Sequence, residues 1–188
     1  MSSRESRPSK RENFFNRAKV VAERSTCLRR KVGAIIVNKD GVELSSGYSG
    51  APRKLRHCID MRSCLRMSLR IPPGERYELC RAVHAEQNAI INAARTGSSI
   101  LGGEMYISSE RMKNAYGNQS YQEKIYGPCI ICKKEIINAG ISMVHMREER
   151  VGEMSYSLNR IRQLLAQEEK NLWCKHREAH SQKKRRNG

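Results

Sequence analysis

Two stretches decide the reading of this chain: Cys80-Arg81-Ala82-Val83-His84-Ala85-Glu86-Gln87-Asn88-Ala89-Ile90 and Pro128-Cys129-Ile130-Ile131-Cys132. The first predicts a helix over Ala85–Arg95, with Ala89, Ile90 and Ala93 on one face and Gly97 just past its end. The second predicts a helix opened by Pro128, running through Asn138 and closed by Gly140. Cys129 and Cys132 are three residues apart and share a helical face. A first helical turn favours thiolate over thiol. Two thiolates and one neutral imidazole, from Cys129, Cys132 and His84, make a three-ligand Zn²⁺ site of zero net charge with a fourth position open to water. Zinc brings the pKa of such a water towards ~7. Glu86, two residues from His84, is expected beside the metal without ligating it, where a carboxylate can carry protons.

Outward from these stretches the chain alternates helical and extended patterns. Phe14, Ala18, Val21 and Ala22 recur at helical spacing, predicting a helix over 11–24. Val32 to Val37 is a short apolar run, Asn38-Lys39-Asp40-Gly41 a turn signal, and Val42 to Tyr48 the partner strand. Glu104–Ser109 and Ile141–Met146 read as further strands, and residues 154–172 as a last amphipathic helix with Ile161, Leu164, Leu165 and Leu172. The order is α-β-β-α-β-α-β-α, which predicts an α/β fold with helices on both faces of one sheet. Residues 49–83 show no period yet contain three of the seven cysteines; a loop that long in a small domain is functional or held by something else. The division expected is a flexible basic arm over 1–10, one domain over 11–174 with an insertion at about 110–127, and a basic tail over 175–188.

Composition narrows the classes. A chain of 188 residues has room for one domain plus tails. It has no apolar run of membrane-spanning length and no apolar leader near Met1, so a cytoplasmic protein with no membrane contact is expected. In that setting seven cysteines point to metal or catalysis rather than disulfides. The net charge is +17 and uneven. Residues 1–24 carry net +4, 53–70 net +5 and 175–188 net +5, whereas 71–128 and 151–174 each sum to zero. The excess is either solvated surface and termini or an attraction for phosphate, on a nucleotide or a polymer.

His-x-Glu followed by Pro-Cys-x-x-Cys is the signature of zinc nucleobase deaminases. From about Val20 to Met146 the chain resembles the deoxycytidylate (dCMP) deaminase family of the cytidine-deaminase-like superfamily, close to bacterial and phage members and to the deaminase-like proteins of late-competence operons. The longest match is Ile71-Pro72-Pro73-Gly74-Glu75-Arg76, Glu78, and Cys80 through Ile90; Arg30 to Ala34 and Gly47 to Pro52 also align. The resemblance implies a three-layer α/β/α sandwich around a central mixed sheet. It implies hydrolysis of dCMP to dUMP and ammonia in deoxynucleotide metabolism, with His84, Cys129 and Cys132 on the catalytic zinc and Glu86 as proton carrier. It also implies a homo-oligomer, a hexamer in many members, with dCTP as activator and dTTP as inhibitor.

In some members a second, structural zinc lies near the equivalents of Cys27 and Cys58. Cys27, Cys58, Cys64 and Cys80 form a candidate four-thiolate site, with His57 as an alternative ligand; reduced, packed cysteines are the other reading. Cys174, His176 and His180 sit in a charged tail with no further partner. For the nucleotide itself, Arg30, Lys31, Arg53, Lys54 and Arg56 are candidates for the 5′-phosphate by position, and family analogy brings Ala34 and Ser49 towards base and sugar. Two departures stand out. Ser49 replaces a common Asn, and 18 residues separate Ser109 from Pro128 where members have a few. Tyr116, Tyr121 and Tyr126 in that insertion either stack on a base or pack against a neighbouring subunit. A deaminase acting on a base in tRNA or single-stranded DNA, and a non-catalytic zinc-stabilised nucleic-acid-binding protein, are the alternatives; the basic tail and the tyrosines favour the former, and the match over 71–90 argues against it.

Overall fold

The computed structural model describes residues 7–72, 74–112, 127–149 and 151–186. Most of the basic arm, Pro73, and the insertion with Tyr116, Tyr121 and Tyr126 lie outside the described residues. The elements are α1 (Lys10–Glu23), β1 (Arg30–Val37), β2 (Glu43–Tyr48), α2 (Cys58–Met61), α3 (Leu65–Ser68), α4 (Ala85–Thr96), β3 (Glu104–Arg111), α5 (Ile130–Asn138), β4 (Met143–Glu148), β5 (Gly152–Ser157) and α6 (Leu158–Arg186), with a 3-10 turn at Tyr77–Leu79. The sheet is mixed, in the order β2-β1-β3-β4-β5. β3 and β4 run parallel, and every other pair is antiparallel.

Strand alternation divides β1 between two cores. Ile35 and Val37 join Phe14, Phe15 and Ala18 of α1 and Tyr106 of β3 on one face. Ala34 and Ile36 join Ala85, Ala89 and Ala93 of α4, Cys132 and Ile136 of α5 and Ile161 of α6 on the other. This is the three-layer sandwich expected. Two glycines let helices approach the sheet at backbone distance. A Cβ on Gly33 would lie 2.3 Å from the Ala22 nitrogen of α1, and one on Gly47 would lie 2.3 Å from the Ala89 nitrogen of α4. α4, which carries His84 and Glu86 at its start, is thereby seated directly on β2.

The expected helix over 154–172 is corrected at both ends. Residues 152–157 form β5, because Gly152 to Ser157 pairs with Glu148 to Met143 and buries Tyr156. Nothing in Gly-Glu-Met-Ser-Tyr-Ser is β-branched, so only the exposed edge of β4 makes it a strand. The helix starts at Leu158 and continues to Arg186, through the residues read as a tail. Within 49–83 the structure finds α2, α3 and the 3-10 turn, each too short to give a period. Among the described residues no helix is long and apolar enough to cross a membrane.

Candidate metal and active site

His84 and Cys129 occupy equivalent places. Each is the N-cap of its helix, His84 before α4 and Cys129 before α5, with extended backbone. Cys129 was expected inside a helix opened by Pro128; the helix instead begins at Ile130, and the Cys129 sulfur accepts from the Cys132 backbone N–H at 3.5 Å. Gln87 sets the first turn of α4, where its Oε1 accepts from the His84 backbone N–H at 3.0 Å. Its Nε2 donates to Glu135 of α5 at 2.8 Å, which ties the two helix starts together. Asn88 donates to the Tyr48 carbonyl at 2.7 Å and anchors the same turn to the end of β2.

The result is a compact donor set. His84 Nδ1 lies 3.3 Å from the Cys129 sulfur and 3.4 Å from the Cys132 sulfur. Among the described residues this is the only group of three or more His, Cys, Asp or Glu whose candidate ligand atoms all lie within 4.8 Å of one another. A tetrahedral zinc with ordinary Zn–S and Zn–N bonds separates sulfur from nitrogen by about 3.5 Å. Spacing and donor chemistry therefore both fit zinc.

Electrostatics agree. The Cys129 thiol is pushed well down, to about 4, chiefly by the hydrogen bond from Cys132; burial opposes this, and the hydrogen bond and charge of His84 add to the lowering. Cys132, its buried partner, is pushed up by that same hydrogen bond and by desolvation. Burial disfavours the His84 cation, but hydrogen bonds to Cys129 and Cys80 and the Glu86 charge prevail and raise it to about 11. Two sulfurs and an imidazole that share protons so tightly are groups from which a cation displaces protons. Glu86 is buried, and loss of hydration pushes its carboxyl up, against the pull of His84. It also hydrogen-bonds Cys132. A carboxyl raised in this way is suited to exchange protons near neutrality.

The other expected site residues are distributed differently. Ala34 is fully buried in the core shared with Ala85 and Cys132, and Ser49 is buried next to the end of β2. Arg30 is engaged by Glu148 at 2.9 Å and by Ser109 at 3.2 Å. Lys31 alternates with Arg30 and shares the α1 side of β1 with Gly33 and Ile35, away from the zinc donors. Arg53 donates at 2.9 Å to Asn92 of α4, which itself donates to the Ser46 carbonyl of β2, and the Arg56 carbonyl accepts from Arg81. His57 bonds Thr26 at 3.1 Å. Cys58 is buried and raised to about 11 by desolvation and then by Cys27, Cys64 and Cys80. Burial pushes the Cys80 thiol up, but its hydrogen bonds with His84 and the Ala82 backbone and the nearby His84 and Arg66 charges together pull it down.

Three residues near the site had no reading from the sequence. Tyr77 meets His84 edge-on with ring centroids 5.5 Å apart. Buried Arg66 lies over the Tyr77 ring at 4.6 Å and donates to the Pro72 and Glu75 carbonyls, which holds the loop before Cys80 in place. Gln87 links α4 to α5. For Gln87 a signal existed, an N-cap followed three residues later by Gln. For Arg66 and Tyr77, inside an aperiodic loop, there was none.

Comparison with known proteins gives consistent matches. The family model for the cytidine and deoxycytidylate deaminase zinc-binding region matches residues 8–148. A deoxycytidylate deaminase of Mycobacterium phage D29 is 33% identical over 143 residues, 74% of this chain and 94% of that protein. ComE operon protein 2 of Bacillus subtilis is 32% identical over 136 residues, 72% of this chain and 58% of that protein. The chain spans only 37% of the deoxycytidylate deaminase of Schizosaccharomyces pombe, which is 30% identical over 138 residues. Among solved structures, the dCMP deaminase of cyanophage S-TIM5 in complex with dCMP and dUMP superposes with a TM-score of 0.54 at 26% identity, covering 87% of this chain and 94% of that one.

Proposed function

The chain belongs to the family of the cytidine and deoxycytidylate deaminase zinc-binding region, and from that premise we propose that it hydrolyses dCMP to dUMP and ammonia. The observation that carries this is the meeting of two helix starts, His84 on one and Cys129 with Cys132 on the other, beside the buried carboxyl of Glu86. His84, Cys129 and Cys132 would hold Zn²⁺, which when bound supplies Lewis acidity that brings the pKa of a water towards ~7. The residues of the chain do the rest. Glu86 accepts a proton as the water oxygen adds to C4 of the cytosine and delivers it to N3. It then moves the second proton to the exocyclic amine as the C4–N4 bond breaks and ammonia leaves. Burial keeps this carboxyl ready for both transfers. Gln87, through Glu135, holds the two helix starts at ligand spacing. Tyr77 closes one side of the imidazole against solvent.

The choice of dCMP is supported by the phage relative and by the dCMP- and dUMP-bound cyanophage structure. A second zinc at Cys27, Cys58, Cys64 and Cys80 is part of this proposal; the cysteines lie near enough to influence one another electrostatically, but they are not gathered at ligand spacing as His84, Cys129 and Cys132 are, so a metal would have to draw them together. The test is ammonia release by zinc-loaded protein from dCMP, CMP, deoxycytidine, dCTP and single-stranded DNA. Turnover confined to dCMP is expected. Glu86→Gln is expected to retain zinc and lose at least about 10²-fold in kcat. Near wild-type rates in that variant would overturn the role of Glu86, and turnover of the polymer alone would overturn the substrate.

A further inference from the structure

Helix α6 changes character along its length. Its first half is part of the fold: Ile161 is fully buried, Leu164 packs against the same core, and Lys133 and Lys134 of α5 pair with Glu168 and Glu169. Residues 158–169 are electrically neutral. From Lys170 onward the chain carries seven basic residues and one acidic, net +6, while the helix continues to Arg186. Trp173, the only tryptophan of the chain, is 66% exposed on this half.

The helical repeat sorts these residues. Positions 170, 173, 177, 180 and 184 follow one another at three- and four-residue steps and therefore form one row along the helix. The sequence puts Lys170, Trp173, Arg177, His180 and Lys184 there. Lys170, Trp173 and Arg177 are exposed, and the row is ~21 Å long at 1.5 Å per residue. The lone acid, Glu178, falls outside it. We propose that this row is a binding surface for single-stranded nucleic acid, with Trp173 stacking on a base and the flanking cations on phosphates. An aromatic between cations at helical spacing matches a strand that offers bases and phosphates in alternation. A second copy of the helix fits poorly, because it would bring two +6 segments together. A lipid surface fits poorly as well. Beyond residue 170 the apolar residues are Leu172, Trp173, Cys174 and Ala179, of which the first three are consecutive and so point in different directions. The surface is independent of the donor set at His84, so it adds to the catalytic proposal without resting on it.

The experiment uses the full-length zinc-loaded protein and an oligothymidylate of about 16 nucleotides. Quenching of the single tryptophan reports the stacked state directly. Three cations of the row predict a slope of log affinity against log salt near about −2, a loss of about 20-fold between ~50 and ~200 mM. Trp173→Ala, followed by anisotropy of a labelled oligonucleotide, should weaken binding by about 5- to 150-fold. Arg177→Glu should weaken it more than Lys175→Glu, which reverses a charge on the opposite side of the helix. Turnover of dCMP should be unchanged in all three. Binding without quenching, equal loss in Arg177→Glu and Lys175→Glu, equal affinity for duplex, or displacement of the oligonucleotide by phosphatidylserine vesicles would each overturn the proposal. So would absence of binding at low salt.

Discussion

Gly47→Ala tests whether the seating of α4 on β2 controls the chemistry. The new Cβ would lie 2.3 Å from the Ala89 nitrogen and 2.6 Å from the Ala85 carbonyl oxygen, both backbone atoms that no rotamer change can move. Restoring ordinary contact requires α4 to lift by about 1.1 Å, and His84 and Glu86 lift with it. Cys129 and Cys132 stay with α5, so the donor set opens by a sizeable fraction of a metal–ligand bond. A misplacement of that size costs about 10²-fold in rate. Overpacking itself costs about 1–3 kcal/mol, which for a chain of this length lowers Tm by roughly 2–12 °C. Gly33→Ala is the control: its Cβ would meet the Ala22 nitrogen at the same 2.3 Å, but on the α1 side of the sheet. The assay pairs kcat for dCMP and zinc content with thermal melting for both variants. Gly47→Ala should lose activity and zinc affinity, whereas Gly33→Ala should lose similar stability and keep kcat within a few-fold. Equal kinetic damage in the two variants, or a fully active Gly47→Ala, would refute the argument.

Other consequences can be measured separately. His145 is buried between Arg11 at 3.0 Å and Ser155 at 2.8 Å on Nδ1 and Glu104 at 3.2 Å on Nε2, and its pKa is lowered chiefly by burial. A lowered histidine contributes stability that is complete above its unfolded pKa of ~6.5 and is lost as pH falls towards its folded value. The zinc-loaded wild type should therefore lose more Tm between pH 7.5 and 5 than His145→Asn, and parallel curves would contradict this. Lys133 is almost fully buried with Glu168 as partner, so Glu168→Gln should cost about 1–3 kcal/mol, less than for a wholly buried pair because Glu168 is partly exposed. Lys133→Met combined with Glu168→Gln should recover much of that in denaturant titration; a double variant weaker than the single would contradict it. Zinc analysis should find two ions per chain, with Cys58→Ser removing one and leaving dCMP turnover by the folded fraction, and Cys129→Ser removing the other together with activity. A single ion that survives Cys58→Ser would reject the second site.

Much of the centre was open to reading before any coordinates, because its determinants are local. His84 and Glu86 are two residues apart, Cys129 and Cys132 three, and each group begins a helix whose start and stop residues lie within a dozen positions. The apolar run at Val32–Val37 and the helices around it were legible for the same reason. What the tertiary structure decided involves partners distant along the chain. Gly152–Ser157 became a strand because β4 offered it an edge. Arg30 was drawn to Glu148, 118 residues away, and Lys31 was turned to the α1 face by strand alternation. Tyr77 and Arg66 came to His84 through a loop with no periodicity to betray it. Spacing along the chain encodes which side chains share a helical turn or a strand face, and so the candidate zinc ligands, which the fold brings together, could be proposed from it. Which cation meets which carboxylate, and which strand edge is left to be paired, depends on how the elements pack, and that is settled only when the chain closes on itself.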